Sequence, residues 1–182
     1  MTTSAPGASP SVRFTQIVEQ ARLLYEEQGP EGLTMRSLAA RLGIRAPSLY
    51  NHVRGKDELE VLLIVEALRG MGESLHAALT SVPARSPRRT ALTALAAAYR
   101  SWALAHPHLY RLATGGELAR EQLPEGLEAW TAAPLVGVAG GEHRARAAWA
   151  FAHGMTILEL DGRFPPSADL DAAWAEGVAA LT

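Results

Sequence analysis

The stretch TMRSLAARLGIRAPSLYNHVRGKDEL, Thr34 to Leu59, decides the fold of this 182-residue chain. Leu38 and Leu42 lie four residues apart, one helical turn, behind Thr34, whose hydroxyl suits an N-cap. Gly43 stands where a helix end needs a positive φ. Pro47 interrupts what otherwise reads as helix, and it fits the first turn of a new one, where a missing N–H costs nothing. On that helix, expected from Ala46 to Val53, Leu49 and Val53 form the buried side. Two short helices around Leu42–Ile44 have helix–turn–helix spacing. Asp57 and Glu58 then fall in the first turn of a long helix beginning near Lys56 and reaching about Leu79, where the helix dipole favours them.

The charge of this stretch is one-sided. Arg36, Arg41, Arg45, Arg54 and Lys56 occur without a carboxylate between Arg36 and Lys56, whereas the preceding segment carries Glu19, Glu26, Glu27 and Glu31. Solvated helix faces usually mix signs. A purely basic one suits a polyanion, although the whole chain has a net charge of −2.

Working outward, residues 1–10 are Thr, Ser, Pro, Gly and Ala beside Met1, a composition that reads as a flexible arm. From Ser11 to Gln28, Phe14, Ile17, Val18, Ala21, Leu24 and Tyr25 form the 3.6-residue stripe of an amphipathic helix, which Gly29–Gly32 stops. Beyond residue 90 the chain is rich in Ala and Leu and broken at residues 106–108, 114–116, 123–126 and 137–141. Its last two helices are expected over about 142–162 and 169–181. No strand-like alternation and no internal repeat occurs. The expected division is an arm over 1–10, a helix–turn–helix head over 11–58, and a helical body over 59–182.

Cysteine is absent, which excludes a disulfide framework, a thiolate metal site and a cysteine nucleophile. No apolar run reaches the roughly 18 residues of a membrane span, and a signal peptide's basic and apolar regions are missing, so a soluble cytoplasmic protein is expected. His106, His108, His143 and His153 lack carboxylates at metal-ligand spacing, and no metal or cofactor is expected. Paired catalytic groups are likewise missing, which argues against a helical-bundle enzyme.

A helix–turn–helix motif presents the N-terminal residues of its second helix to base edges in the major groove. Ser48, Asn51 and His52, with Pro47 and Tyr50, lie off the side defined by Leu49 and Val53. Asn pairs with adenine bidentately, and Ser serves several partners. Arg45 could take a guanine edge or a phosphate, while Arg36, Arg54 and Lys56 suit phosphates. Tyr50 and His52 could alternatively be half-buried packing residues.

The segment Leu33 to Leu59 resembles the N-terminal domain of the tetracycline-repressor (TetR) family of bacterial transcription regulators. Thr34, Leu38, Ala39, Leu42, Gly43, Leu49, Tyr50, His52, Lys56 and Leu59 match that pattern in type and spacing. The resemblance implies an all-α homodimer of about nine helices per chain, with a three-helix DNA-binding head and a C-terminal ligand-binding bundle. Carried over by position, Arg36, Pro47, Ser48, Tyr50 and His52 would contact DNA, and Lys56 would hold a phosphate. Ala46 stands where the tetracycline repressor has a base-reading glutamine, and Asn51 where it has tryptophan, so an operator sequence cannot be transferred. The segment AAWAFAHGMTILELDGRF, with Trp149, His153 and Gly154, is similar to one C-terminal domain type of the family.

The candidate DNA contacts are therefore Thr34, Arg36, Arg45, Ala46, Pro47, Ser48, Tyr50, Asn51, His52 and Lys56. Trp102, His106, Tyr110, Trp130, Trp149 and His153 are the candidate effector-binding residues, since Trp149 with His153, and Trp102 with His106, are spaced to share helix faces. Equally, they could be core. Ala145, Ala148 and Ala152, with the seam of Leu170, Trp174, Val178 and Leu181, are candidate dimer contacts; packing within one chain is the competing account. The expected function is a ligand-responsive repressor that binds a palindromic operator as a homodimer and leaves it on binding a small apolar effector. A DNA-binding architectural protein without an effector is the alternative.

Overall fold

The computed structural model describes residues 12–182, and the arm expected over residues 1–10 lies outside them. The described residues form nine α-helices and no strand: α1 Val12–Gly32, α2 Met35–Arg41, α3 Ala46–Leu49, α4 Lys56–Ser81, α5 Arg88–Ala105, α6 Pro107–Thr114, α7 Leu127–Ala139, α8 Glu142–Leu160 and α9 Leu170–Ala180. A 3₁₀ turn at Arg120–Gln122 precedes α7. The expected breaks follow the chemistry that announced them. α1 is interrupted at Gly29, whose φ of 71° only glycine adopts without strain, and Pro30 follows it. Pro107 opens α6 because proline tolerates a first helical turn and disfavours helix at the residue before it.

Residues up to Arg69, with His106–Leu127, form one compact unit; Gly70–Ala105 and Glu128–Thr182 form a second. The boundary expected near residue 58 follows the expected roles, whereas these units follow packing. In the first unit the stripe of α1 is buried through Ile17, Val18, Ala21, Leu24 and Tyr25. Around it Leu38, Leu49, Leu59, Leu63 and Leu109 are almost wholly buried. Each such side chain is worth roughly 1.5–3 kcal/mol of transfer free energy, so α2, α3, α4 and α6 are held by apolar packing rather than by their own helix propensity. α6 packs directly on α1.

In the second unit α8 and α9 both pack on α5. Leu92, Leu95, Tyr99 and Ala103 supply the buried side of α5. Phe151 lies edge-on to Trp174 at 5.5 Å, and its ring occupies the space that a Cβ on Gly177 would need. Gly177 thus lets α8 and α9 approach closely. Arg100 on α5 donates from Nε and Nη2 to both carboxylate oxygens of Glu159 on α8, at 2.9 and 2.8 Å. Its Nη1 donates to Asp171 on α9 at 2.6 Å.

Candidate DNA-binding surface

The helix–turn–helix is set by local chemistry. Thr34 caps α2, its hydroxyl accepting from the Ser37 amide at 3.0 Å while the Ser37 hydroxyl accepts from the Thr34 amide at 2.9 Å. That reciprocal box satisfies two of the orphan donors at a helix start. Gly43 takes φ 66°, turning the chain toward α3. Pro47 sits in the first turn of α3, as its missing N–H requires. α3 itself is shorter than the expected Ala46–Val53: it ends at Leu49, and Tyr50–His52 continue as a turn closed by the Val53 amide on the Leu49 carbonyl at 3.0 Å. Ser48 and Asn51 compete for backbone hydrogen bonds and Gly55 follows, so little propensity extends the helix.

Leu49 is fully buried and Val53 nearly so, the inward side expected. Pro47, Ser48, Tyr50, Asn51 and His52 are all exposed, and Tyr50 is 56% exposed despite its size. The packing alternative for Tyr50 and His52 does not describe them. Ala46 is half-buried at the helix start. A short stretch therefore turns an aromatic ring, an amide, a hydroxyl and an imidazole toward solvent on one side of a rigid apolar anchor.

The basic residues divide by partner. Arg36 and Arg45 are exposed and form no ion pair with another described residue. Arg54 extends its side chain almost wholly into solvent, with a loose 3.5 Å contact to Glu58, while its backbone N–H donates to the same carboxylate. Arg41 is committed to the protein: it donates to both oxygens of Glu27 and to Gln20 on α1. The Arg41 hydrogen bonds hold the Glu27 carboxyl below its ordinary pKa. Lys56 also has inward partners, donating from Nζ to the Pro30 carbonyl at 2.8 Å and lying 3.7 Å from Glu60. The ties of Arg41 to α1 and of Lys56 to Pro30 join residues 14 to 26 positions apart and leave no local sequence signal.

The other candidate residues fall in different places. His106 leaves the α5 face it was expected to share with Trp102, because α5 stops at Ala105 and His106 becomes the N-cap of α6. Tyr110 is buried on α6, in the first unit. Trp130 stacks on His76 at 4.8 Å, and the His76 imidazole donates to the Trp130 carbonyl at 3.0 Å. The Trp130 ring fills space that a Cβ on Gly72 would take, and Trp102 lies similarly close to Gly70. Trp149 and His153 are paired as spaced, with ring centroids 5.8 Å apart, but Trp149 is 48% exposed. It is therefore not a core residue of this chain. Burial holds the His153 imidazole below its ordinary pKa.

Of the expected dimer contacts, Ala145, Ala148, Ala152, Trp174 and Val178 are buried within the single chain. Leu170 and Leu181 are half-buried. Packing within one chain accounts for those five buried residues, while Leu170 and Leu181 keep exposed surface. Trp149 and Leu158 keep exposed surface on α8, and nine residues of helix, about half a turn out of phase, put them on opposite faces. No helix among the described residues is long and apolar enough to cross a membrane.

Comparison with known proteins agrees with this geometry. Residues 17–60 match the model for bacterial regulatory proteins of the tetR family, and residues 92–181 match the tetracyclin repressor-like C-terminal domain. An uncharacterized HTH-type transcriptional regulator of Mycobacterium tuberculosis is 33% identical over 175 residues, covering 91% of this chain and 78% of that protein. Other curated regulators are matched over about half their length, 52% for one of Mycobacterium bovis. Among solved structures, the regulatory protein SCO4313 superposes with a TM-score of 0.74 at 27% identity, covering 95% of this chain and 98% of that one. A TetR variant of Acinetobacter baumannii in complex with minocycline has the same fold, with a TM-score of 0.63 at 24% identity over 92% of each chain.

Proposed function

The chain belongs to the TetR family of bacterial transcriptional regulators, and from that premise we propose that it binds a palindromic operator as a homodimer and is released by a small apolar effector. Its family and named relatives are DNA-binding regulators, not enzymes. The observation that carries the finer reading is the outward set Pro47, Ser48, Tyr50, Asn51 and His52, flanked by Arg36, Arg45 and Arg54. The arginines, with Lys56, supply sequence-independent attraction to phosphates, and the exposed turn of α3 reads base edges. Thr34 serves mainly by capping α2. Action on operator DNA places the protein in the cytoplasm.

Two heads must enter successive major grooves roughly 34–36 Å apart, which requires a dimer. The exposed Trp149 of α8 supports a partner contact on its face of that helix. Effector control is supported by Trp130 Nε1 and Thr156 Oγ1 in the second unit, buried and without a hydrogen-bond partner among the described residues. A few such polar groups in apolar surroundings suit a ligand that is mostly hydrophobic. An effector that prefers one arrangement of the dimer lowers operator affinity by its differential affinity for the two states.

Selecting bound duplexes from a random DNA pool tests the reading, followed by measurement of native protein and Asn51→Ala on every single-base variant of the selected site. Asn51→Ala should lose about 1–3 kcal/mol on the selected operator, at one base pair per half-site in symmetric positions. Non-specific binding should stay nearly unchanged. A uniform loss with no position relaxed refutes base reading by Asn51, and failure to enrich any inverted repeat refutes operator binding by a dimer.

A further inference from the structure

The turn that joins α1 to the helix–turn–helix is gripped from two sides. On one side, Glu26 of α1 accepts a hydrogen bond at 2.9 Å from the amide of Leu109, in the first turn of α6. That amide has no acceptor within its own helix, and a carboxylate at a helix start also meets the positive end of the dipole. The neighbouring His108 closes over the same turn. Its imidazole stands edge-on to Tyr25 at 6.5 Å, and a Cβ on Gly29 would come within 3.3 Å of its Cε1. On the other side, Lys56 at the start of α4 donates to the carbonyl of Pro30, the next residue of the turn. Four residues beyond Pro30, Thr34 caps α2. The placement of the reading surface therefore depends on where α6 and α4 hold Gly29 and Pro30.

Resting on the operator-binding reading above, we propose that Glu26 is a positioning residue for DNA recognition: by capping α6 it fixes the angle at which the helix–turn–helix is presented. Glu26 faces α6 and not the surface formed by α3, so it touches no base or phosphate. α6 starts two residues after α5 ends, so a displacement of α6 is delivered to the turn through this carboxylate and the His108 ring. A positioning role makes a distinctive demand. Two heads on one palindrome must be correctly placed together, whereas a single head on a half-site orients freely.

The test uses the full chain, the operator selected by native protein, a duplex carrying only one half-site, and operators with one base pair added or removed at the centre. Glu26→Ala should weaken binding to the full operator about tenfold, within the usual range of coupling between sites. Half-site affinity and salt slope should be unchanged, and discrimination among the three spacings should shrink. Glu26→Gln, which keeps an acceptor for the Leu109 amide and preserves the fold, should retain most of the native preference. Equal losses on operator and half-site would show a merely structural role and overturn the proposal, as would unchanged affinity on both. If native protein selects no operator, the operator-binding reading fails instead, and the two failures are distinct.

Discussion

Replacing Arg100 with methionine tests how the second unit is held together. Arg100 is 21% exposed as a side chain, Glu159 15% and Asp171 88%. Its guanidinium also lies 5.7 Å from the centroid of the Trp174 ring. The Glu159 hydrogen bond, opposed by burial and aided by Asp171, pushes the guanidinium above its ordinary pKa, so it stays charged at any working pH. The contributions are unequal. An ion pair with a carboxylate as exposed as Asp171 is worth about 0–0.5 kcal/mol. Breaking a fully buried pair costs about 3–5 kcal/mol, mostly from the charge left behind; the partly solvated Glu159 warrants roughly half, about 1.5–2.5 kcal/mol. Loss of the contact with Trp174 adds about 0.5–1 kcal/mol. Arg100→Met should therefore cost about 2–4 kcal/mol. Urea unfolding followed by tryptophan emission is the natural assay, because all four tryptophans lie between residues 102 and 174. Arg100→Met/Glu159→Met should cost less than the two single variants combined, since no stranded charge remains. A cost below about 0.5 kcal/mol, or strict additivity, would refute the reasoning, because surface ion pairs typically contribute that little.

Two further outcomes follow from the same structure. Lys56→Ala should weaken binding to every DNA sequence about equally and flatten the salt slope by about one. If the slope is intact, Lys56 acts only by holding the Pro30 carbonyl. His153 has its pKa lowered by burial, so the folded chain binds fewer protons there than the unfolded chain. Its contribution is complete above the unfolded histidine value of about 6.5 and is lost as pH falls from there through the folded pKa. His153→Gln should reduce the stability lost between pH 7.5 and 5.5, and an identical loss in both proteins would disprove that role.

Much of the architecture was legible in the chain. Gly43, Pro47 and Pro107 mark backbone conformations that few residues tolerate, so they locate helix ends from local chemistry alone. The stripe from Ile17 to Tyr25 and the pair Leu49 and Val53 show which side of a helix is apolar, and that side is buried. The outward set Ser48, Asn51 and His52 follows, because a residue off a buried face has little choice but solvent. Periodicity does not say which neighbour covers an apolar face. The alanine stripe of α8 and the seam around Trp174 read equally as a dimer contact or as monomer packing; only the placement of α5 against both helices shows which of those residues the chain itself buries and that Trp149 stays outside. Partners distant in sequence were invisible for a related reason. Arg41 with Glu27, Lys56 with Pro30, Glu26 with Leu109 and Arg100 with Glu159 span 14 to 83 positions, and no local pattern encodes such a pairing. Local sterics and hydrogen bonding determine each helix within a few residues, whereas the partner of an exposed charge depends on how whole helices pack, which only the tertiary structure decides.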